Sequence, residues 1–513
     1  MSLQSLTIQH WLKRHATYRP NHIAFIYGDE RLTFGDLYKA VTQLANAFLA
    51  NGITKGDKVA TILSNSKELY ETYWACAAMG AVCVPISPLM RGEGLKNLLE
   101  NSDTKLIITC VEFADNFISD NVKIDKSNCW VTNAGSSDAY QSYYDKKKES
   151  SAQNFSAEEI NGDDAYNIIY SSGTTGTPKG IVISHTVRAM YGLFFASAYR
   201  MTPESIVLHS GAIIFNGSFL TLMPAMFLGC TYILHDHFDP DMVIETIKKE
   251  KVTHTILVPS QIISCLQHTD FTGKKLSSLE YILSVGAPLL QEHKEKIEKQ
   301  LPGIFYELYG LTEGFMTILD KNDFKKKTGS VGIPPPFMEM KIVDIENNEL
   351  PTGEIGEIIG KGPLLMTEYY KDPKQTKAAL QYGWLYTGDL GYVDADGFLF
   401  LTGRKKDMII SGGVNVYPSD IEEVIIRHPV VKDVAVFGVP HKDWGETPVA
   451  AIVLKEGSNI LTANEIKNWI NDNLGARYQK VSDVLFINEL PRNVAGKILK
   501  RELKENYVKQ IHQ

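Results

Sequence analysis

The chain is poor in the residues that hold small or secreted scaffolds together. Its 513 residues include six cysteines, Cys76, Cys83, Cys110, Cys129, Cys230 and Cys265, with no C-x-x-C pair. That scatter argues against a disulfide framework and a zinc site, and points to reduced core thiols in a cytoplasmic protein. Excess positive charge is also missing. The formal net charge is −8, so no basic field draws the chain to nucleic acid. Met1–Arg19 mixes Gln, His, Lys and Arg with its apolar residues, which argues against a signal peptide. One stretch, Ser205–Leu234, carries no Asp, Glu, Lys or Arg. His209, Gly211, Asn216, Gly217, Pro224 and Gly229 interrupt it, so it reads as a strand, a loop and a buried helix rather than a transmembrane segment. No internal repeat of fixed period is present.

What is there suffices for a large core. The chain is 44% hydrophobic and 22% charged, enough for two or more domains. Thr33 precedes an amphipathic pattern running to about Ala50 and is expected to cap a helix. Short β-branched runs at Lys58–Leu63 and Ala81–Ile86 flank a helical segment, Lys67–Met79. Strand-like runs recur at Lys105–Thr109, Ile206–Leu208, Thr231–Leu234, Thr255–Val258 and Tyr281–Ser284. This alternation predicts α/β layers with mostly parallel sheets. Gly135–Gly162, with Lys146-Lys147-Lys148, is polar and reads as a flexible surface connection. Past about Ser330, dense turn signals punctuate short strands and predict a small, mainly antiparallel β region. A further α/β unit follows Arg404–Asp407, with helices at Ser419–His428 and Thr462–Leu474 and strands at Val434–Phe437 and Val449–Leu454. The expected domains are 1–404, with a β subdomain at about 330–404, and 405–513.

The densest chemical signal is Tyr170–Gly180, where five Ser/Thr hydroxyls, three glycines and Lys179 follow the apolar run Tyr166–Tyr170. Glycines let backbone N–H groups approach an anion, hydroxyls add donors and lysine adds a point charge. It is not a P-loop, because Lys179 lies between Pro178 and Gly180 rather than after the second glycine of G-x-x-x-x-G. Further segments follow in order: Ser284-Val285-Gly286-Ala287-Pro288, Glu307-Leu308-Tyr309-Gly310-Leu311-Thr312-Glu313, Tyr386-Thr387-Gly388-Asp389, Gly403-Arg404-Lys405-Lys406-Asp407 and Pro491-Arg492-Asn493-Val494-Ala495-Gly496-Lys497.

Each of these segments is weak alone. Together, in this order, they resemble the motifs of the adenylate-forming enzymes, the superfamily of acyl-CoA synthetases, peptide-adenylation domains and beetle luciferases. The resemblance implies an α/β fold: a large N-terminal domain with two mostly parallel, helix-covered sheets plus a small β subdomain, and a small mobile α+β C-terminal domain. It implies that Ser172, Gly173, Thr174, Thr175, Gly176 and Lys179 hold the phosphates of ATP, with Thr175 among the catalytic residues. Glu313 would ligate Mg²⁺ and Thr312 would donate to the α-phosphate. Gly286, Ala287, Pro288, Glu307, Leu308, Tyr309 and Gly310 would surround the adenine, Asp389 would accept from the ribose hydroxyls, and Arg404 would contact the ribose. Lys497 would bridge the substrate carboxylate and the α-phosphate. The small domain would then rotate about Lys406 and bring Ser411, Gly412 and Gly413 to coenzyme A.

The sequence departs from the family at the acyl gate. Where many acyl-CoA synthetases have P-L-F-H-x-x-G, this chain has Gly211-Ala212-Ile213-Ile214-Phe215-Asn216-Gly217, with Ile214 in place of the histidine. Nearby His209 reads as a core or sheet-end histidine. The acyl-pocket candidates Ile214, Phe215, Ser218, Phe219, Val285, Tyr309, Phe315 and Met316 carry no charge. A second carboxylate on the acid would need a buried cation, so a fatty, alicyclic or aryl acid is expected. The reaction implied is acid plus ATP to acyl-AMP and pyrophosphate, then CoA to acyl-CoA and AMP. Loading of a separate carrier protein is an alternative. So is a non-catalytic acyl-nucleotide-binding homologue, against which the intact Lys497, Glu313 and Thr175 argue. The expected partners are a carboxylic acid, ATP and CoA; a homodimer is left open.

Overall fold

The computed structural model describes residues 6–114, 126–133, 140–153, 158–171, 179–455, 457, 462–492 and 498–511. Internal contacts divide the chain into two compact units, Met1–Glu339 with Gly360–Leu385, and Met340–Ile359 with Tyr386–Gln513.

The first unit holds two eight-stranded sheets. One runs in spatial order Met316–Leu319, Phe305–Gly310, Tyr281–Val285, His254–Leu257, Ile206–His209, Thr231–Leu234, Ile23–Tyr27, Glu30–Thr33. Its six inner strands pair in parallel and its two edge strands antiparallel. The other runs Glu368–Tyr369, Lys179–Ser184, Ala165–Ser171, Val82–Pro85, Lys58–Ile62, Thr104–Thr109, Cys129–Val131, Gln141–Ser142. It is parallel from Ala165–Ser171 onward and antiparallel at the other end. Central strands such as Lys58–Ile62 and His254–Leu257 are buried along nearly their whole length, as parallel strands covered on both faces must be.

Local chemistry sets the helices. Thr33 accepts from Asp36 N and the Asp36 side chain accepts from Thr33 N, a reciprocal box that starts Phe34–Ala50. Ser66 caps Lys67–Met79, and Gly80 ends it in the left-handed conformation. That helix is buried on almost every side, so its sequence lacks a polar stripe. Ser205–Leu234 resolves, as expected, into strand Ile206–His209, a loop and the buried helix Phe219–Leu228, before strand Thr231–Leu234. Among the described residues no helix is long and apolar enough to cross a membrane.

The reading of Gly135–Gly162 as a flexible connection needs correction for 140–153. Strand Gln141–Ser142 leads into helix Tyr143–Lys148. Tyr143 is fully buried, and its hydroxyl donates to Glu71 Oε2 at 2.7 Å, an oxygen that also accepts from Lys147 Nζ at 2.5 Å. A segment polar on average is anchored by one aromatic ring and an ion pair to a helix distant in sequence.

In the second unit, strands Val414–Val416, Ile409–Ser411, Gly445–Leu454 and Val431–His441 form a sheet in that order, and Asp483–Phe486 pairs with Gly445–Leu454. The two-residue alternation of strands splits its core. Val434, Val436, Ala450 and Ile452 pack with Ile421, Ile425, Ile466 and Ile470 of helices Pro418–Ile426 and Ala463–Asn473. Ala435, Phe437, Val449 and Ala451 pack on the other face with Leu503 and Tyr507 of Lys500–Ile511.

Candidate active site

Four neighbouring parallel strands of the first sheet end side by side at His209, Leu257, Val285 and Gly310. Segments leaving that carboxyl edge supply Ile214, Phe215, Gly286, Thr312 and Glu313 among the residues singled out in the sequence, and this edge is where open α/β sheets bind ligands. Gly286 leaves the edge with φ 93°, and among the described residues a Cβ there would meet only Val258 Cγ1, at 3.7 Å. Its backbone is therefore open to close approach, and Ala287 and Pro288 after it are exposed. Tyr309 is half-buried, with its ring edge-on to Phe315, while Phe315 and Met316 are fully buried. Glu307, expected near the adenine, has its carboxylate paired with Lys294 Nζ in the interior. Burial raises its pKa against the pull of that ammonium.

The phosphate-loop residues Ser172, Gly173, Thr174, Thr175 and Gly176 lie outside the described residues, as does Lys497. What flanks the loop is well defined. Ser171 and Lys179 face each other in an antiparallel pair, so residues 172–178 connect two adjacent strands. Glu368–Tyr369 adds to the same edge, with Tyr369 opposite Ile181. Lys179 Nζ lies over the Tyr369 ring, 4.9 Å from its centroid. The Tyr369 hydroxyl donates to Glu313 Oε1 at 2.8 Å, and Glu313 O accepts from Met366 N. Lys179 and Glu313, 134 positions apart in the chain, are thus joined through one tyrosine. Burial and the Glu313 carboxylate raise the Tyr369 pKa, so it is a hydroxyl donor at neutral pH. The sequence reading missed Tyr369; its one signal was a Glu-Tyr-Tyr triplet at 368–370, which matches no motif.

At the expected acyl gate, Ile214, Ser218 and Phe219 are buried and Phe215 is half-buried. Ser218 Oγ donates to Ile213 O and Phe215 O, both at 2.9 Å, and so holds the turn Asn216–Ser218 rather than offering a free hydroxyl. His209 is buried at the end of its strand, where desolvation lowers its pKa to about 4. A charge stands where the pocket list had none: the guanidinium of Arg188 lies over the Phe219 ring, 3.9 Å from its centroid.

In the second unit, Asp389 and Arg404 stand opposite each other on paired strands, with Arg404 Nε 3.0 Å from Asp389 Oδ1. Glu357 accepts from Gly388 N at 3.1 Å and pairs with Lys405 Nζ at 2.7 Å, fixing both sides of the Thr387-Gly388-Asp389 turn. Lys406 is exposed in the turn Lys405–Asp407. Ser411 is buried, and Gly412 and Gly413 both have positive φ. A Cβ on Gly412 would come within 2.5 Å of the Trp444 ring, so only glycine fits there.

Comparison with known proteins agrees with this arrangement. Residues 12–370 match the family model described as AMP-binding enzyme, and residues 420–497 match AMP-binding enzyme C-terminal domain. A feruloyl-CoA synthase of an Amycolatopsis species is 31% identical over 506 residues, 97% of this chain and 98% of that protein. A long-chain-fatty-acid–CoA ligase of Mycobacterium tuberculosis is 32% identical over 504 residues, 97% of each chain. The crystal structure of ATP-bound MatB from Rhodopseudomonas palustris superposes with a TM-score of 0.89 at 28% identity, covering 99% of this chain and 100% of that one. With the fold, the order of motifs and matches over both parts of the chain in agreement, the chain belongs to the AMP-binding enzyme family.

Proposed function

We propose that this chain is an ATP-dependent acyl-CoA synthetase for a carboxylic acid with a bulky, largely apolar body, and that coenzyme A is the acceptor. A free carboxylate resists a thiol because its charge repels the nucleophile and oxide leaves poorly. Attack by the carboxylate on the α-phosphorus of ATP gives an acyl-adenylate and pyrophosphate. The thiol then displaces AMP, a good leaving group. The first step sets an anion against a polyanion, so positive charge must be fixed at the point of attack.

The joining of Lys179, Tyr369 and Glu313 is the observation that carries this reading. Lys179 holds phosphate charge at the end of its loop, and Tyr369 orients the Glu313 carboxylate. Among the described residues Glu313 Oε2 makes no hydrogen bond, and a half-buried hard oxygen of this kind suits Mg²⁺, which neutralises phosphate charge when bound. Asp389, set by Arg404, accepts from the ribose. Lys497 neutralises the reacting carboxylate and α-phosphate, and the part of the chain beyond Lys406 turns to bring Ser411–Gly413 to the thiol. The buried Ile214, Phe219, Phe315 and Met316 support an acid with an apolar body.

Pyrophosphate release with a panel of carboxylic acids tests the first half-reaction. Thioester formation with CoA, set against a carrier-bound pantetheine, tests the second. Release of pyrophosphate with no thioester on CoA would reject CoA as acceptor.

A further inference from the structure

Arg188 is among the largest fully buried side chains among the described residues. It lies on helix His185–Ala198, which packs against Phe219–Leu228. Its guanidinium has the Phe219 ring at 3.9 Å and the Tyr191 ring at 5.0 Å. Nε and Nη2 both donate to Asn167 Oδ1, at 3.3 and 3.2 Å. Among the described residues Nη1 has no acceptor, and no carboxylate forms an ion pair with Arg188. Burial lowers its pKa to about 10, which leaves it charged at neutral pH.

A buried cation without an anion is costly, and a guanidinium cannot escape the cost by losing its proton. Two aromatic faces offset part of it. The surroundings have spare hydrogen-bonding capacity as well. Among the described residues Asn167 Nδ2 has no acceptor and Asn216 Oδ1 no donor, and both atoms are buried. Asn216 Nδ2 donates to the Tyr191 hydroxyl at 3.3 Å, so Arg188, Asn167, Tyr191 and Asn216 form one connected polar group. Asn216 sits between the pocket candidates Phe215 and Ser218, and Phe219 is itself one of them. The group therefore belongs to the wall on which the acid's body rests in the proposed reaction.

We propose that Arg188, with Asn167 beside it, receives a second carboxylate at the far end of the acid, so that the preferred substrate is an apolar-bodied dicarboxylic acid. This rests on the ligase reading and narrows its substrate class. The guanidinium edge at Nη1 and the Asn167 amide supply donors, and the stacked rings shield the charge pair from water. Arg188 acts here as a specificity residue, remote from the reacting carboxylate.

The test compares matched acids on the full-length protein: fatty acids against the α,ω-dicarboxylic acids of the same length, and arylpropionic acids against their ring-carboxylated counterparts. Pyrophosphate release gives kcat/KM, and thermal stabilisation by each acid without ATP reads binding apart from turnover. At least one dicarboxylic acid should exceed its monoacid partner tenfold or more in kcat/KM. Arg188→Met should lower that ratio at least tenfold, mainly through a raised KM for the dicarboxylic acid, and Arg188→Lys should restore part of it. Monoacids turned over in preference to every dicarboxylic partner by the wild-type protein would overturn the proposal and leave the ligase reading intact; this comparison needs no variant to fold. Stabilisation by a dicarboxylic acid that Arg188→Met removes, with no pyrophosphate from any acid, would support the site and reject the ligase reading. A ratio unchanged by Arg188→Met would make Arg188 a packing residue only.

Discussion

The Tyr369 hydroxyl donates to Glu313 Oε1 at 2.8 Å while the Tyr369 ring lies 4.9 Å from Lys179 Nζ. One side chain therefore orients the proposed metal ligand and braces the lysine that ends the phosphate loop. Tyr369→Phe keeps the ring and removes the donor. A hydrogen bond to a charged group contributes about 1.5–3 kcal/mol, so acid-dependent ATP–pyrophosphate exchange should fall by roughly tenfold or more, with the half-saturating Mg²⁺ concentration moved upward. An unchanged Mg²⁺ dependence would remove Tyr369 from the site.

Gly412 has φ 60° and leaves no room for a Cβ against Trp444. Gly412→Ala forces either the ring or the turn to shift, and adds strain of about 1 kcal/mol in a left-handed conformation. Thioester formation from preformed acyl-AMP should slow about tenfold, with adenylation close to wild type. Equal loss in both half-reactions would mean that the turn serves folding rather than the thiol.

Lys497→Ala should abolish pyrophosphate release and spare CoA transfer from preformed acyl-AMP, because in the proposed role the lysine's charge serves only while carboxylate and α-phosphate meet. Single-turnover measurements of the two half-reactions separate the outcomes, and an intact first step would exclude the role proposed for Lys497.

Three buried imidazoles make the fold sensitive to acid. Desolvation lowers His185, His209 and His235 to about 4, against an unfolded value near 6.5. The unfolded chain then binds more protons than the folded one between pH 6.5 and 4. The stability from keeping these rings neutral is complete above pH 6.5 and is lost as pH falls toward 4. At pH 5 the cost is about 2 kcal/mol per imidazole. Urea unfolding midpoints should drop steadily from pH 7 to 5, and His209→Gln should flatten the slope by one imidazole's share. A flat profile would contradict burial of these rings in the neutral form.

Much of the architecture was legible because local signals and global fold agree. Thr33 and Asp36 are close enough in sequence to form their capping box wherever the helix packs, and Lys67–Met79 appears with the expected bounds. The helical part of 135–162 was illegible because average polarity hides one anchoring ring, Tyr143.

Residue order by itself determined the class of chemistry, since the motifs from Tyr170–Gly180 to Pro491–Lys497 carry their resemblance to the adenylate-forming enzymes in sequence alone. Only tertiary structure decided which groups meet: Tyr369 reaches Glu313, Glu307 turns to Lys294, and Arg188 stands charged against Phe219. The reason is physical. A motif is a property of neighbouring residues, whereas the charge and polarity around a buried group depend on side chains from strands and helices far apart in the chain.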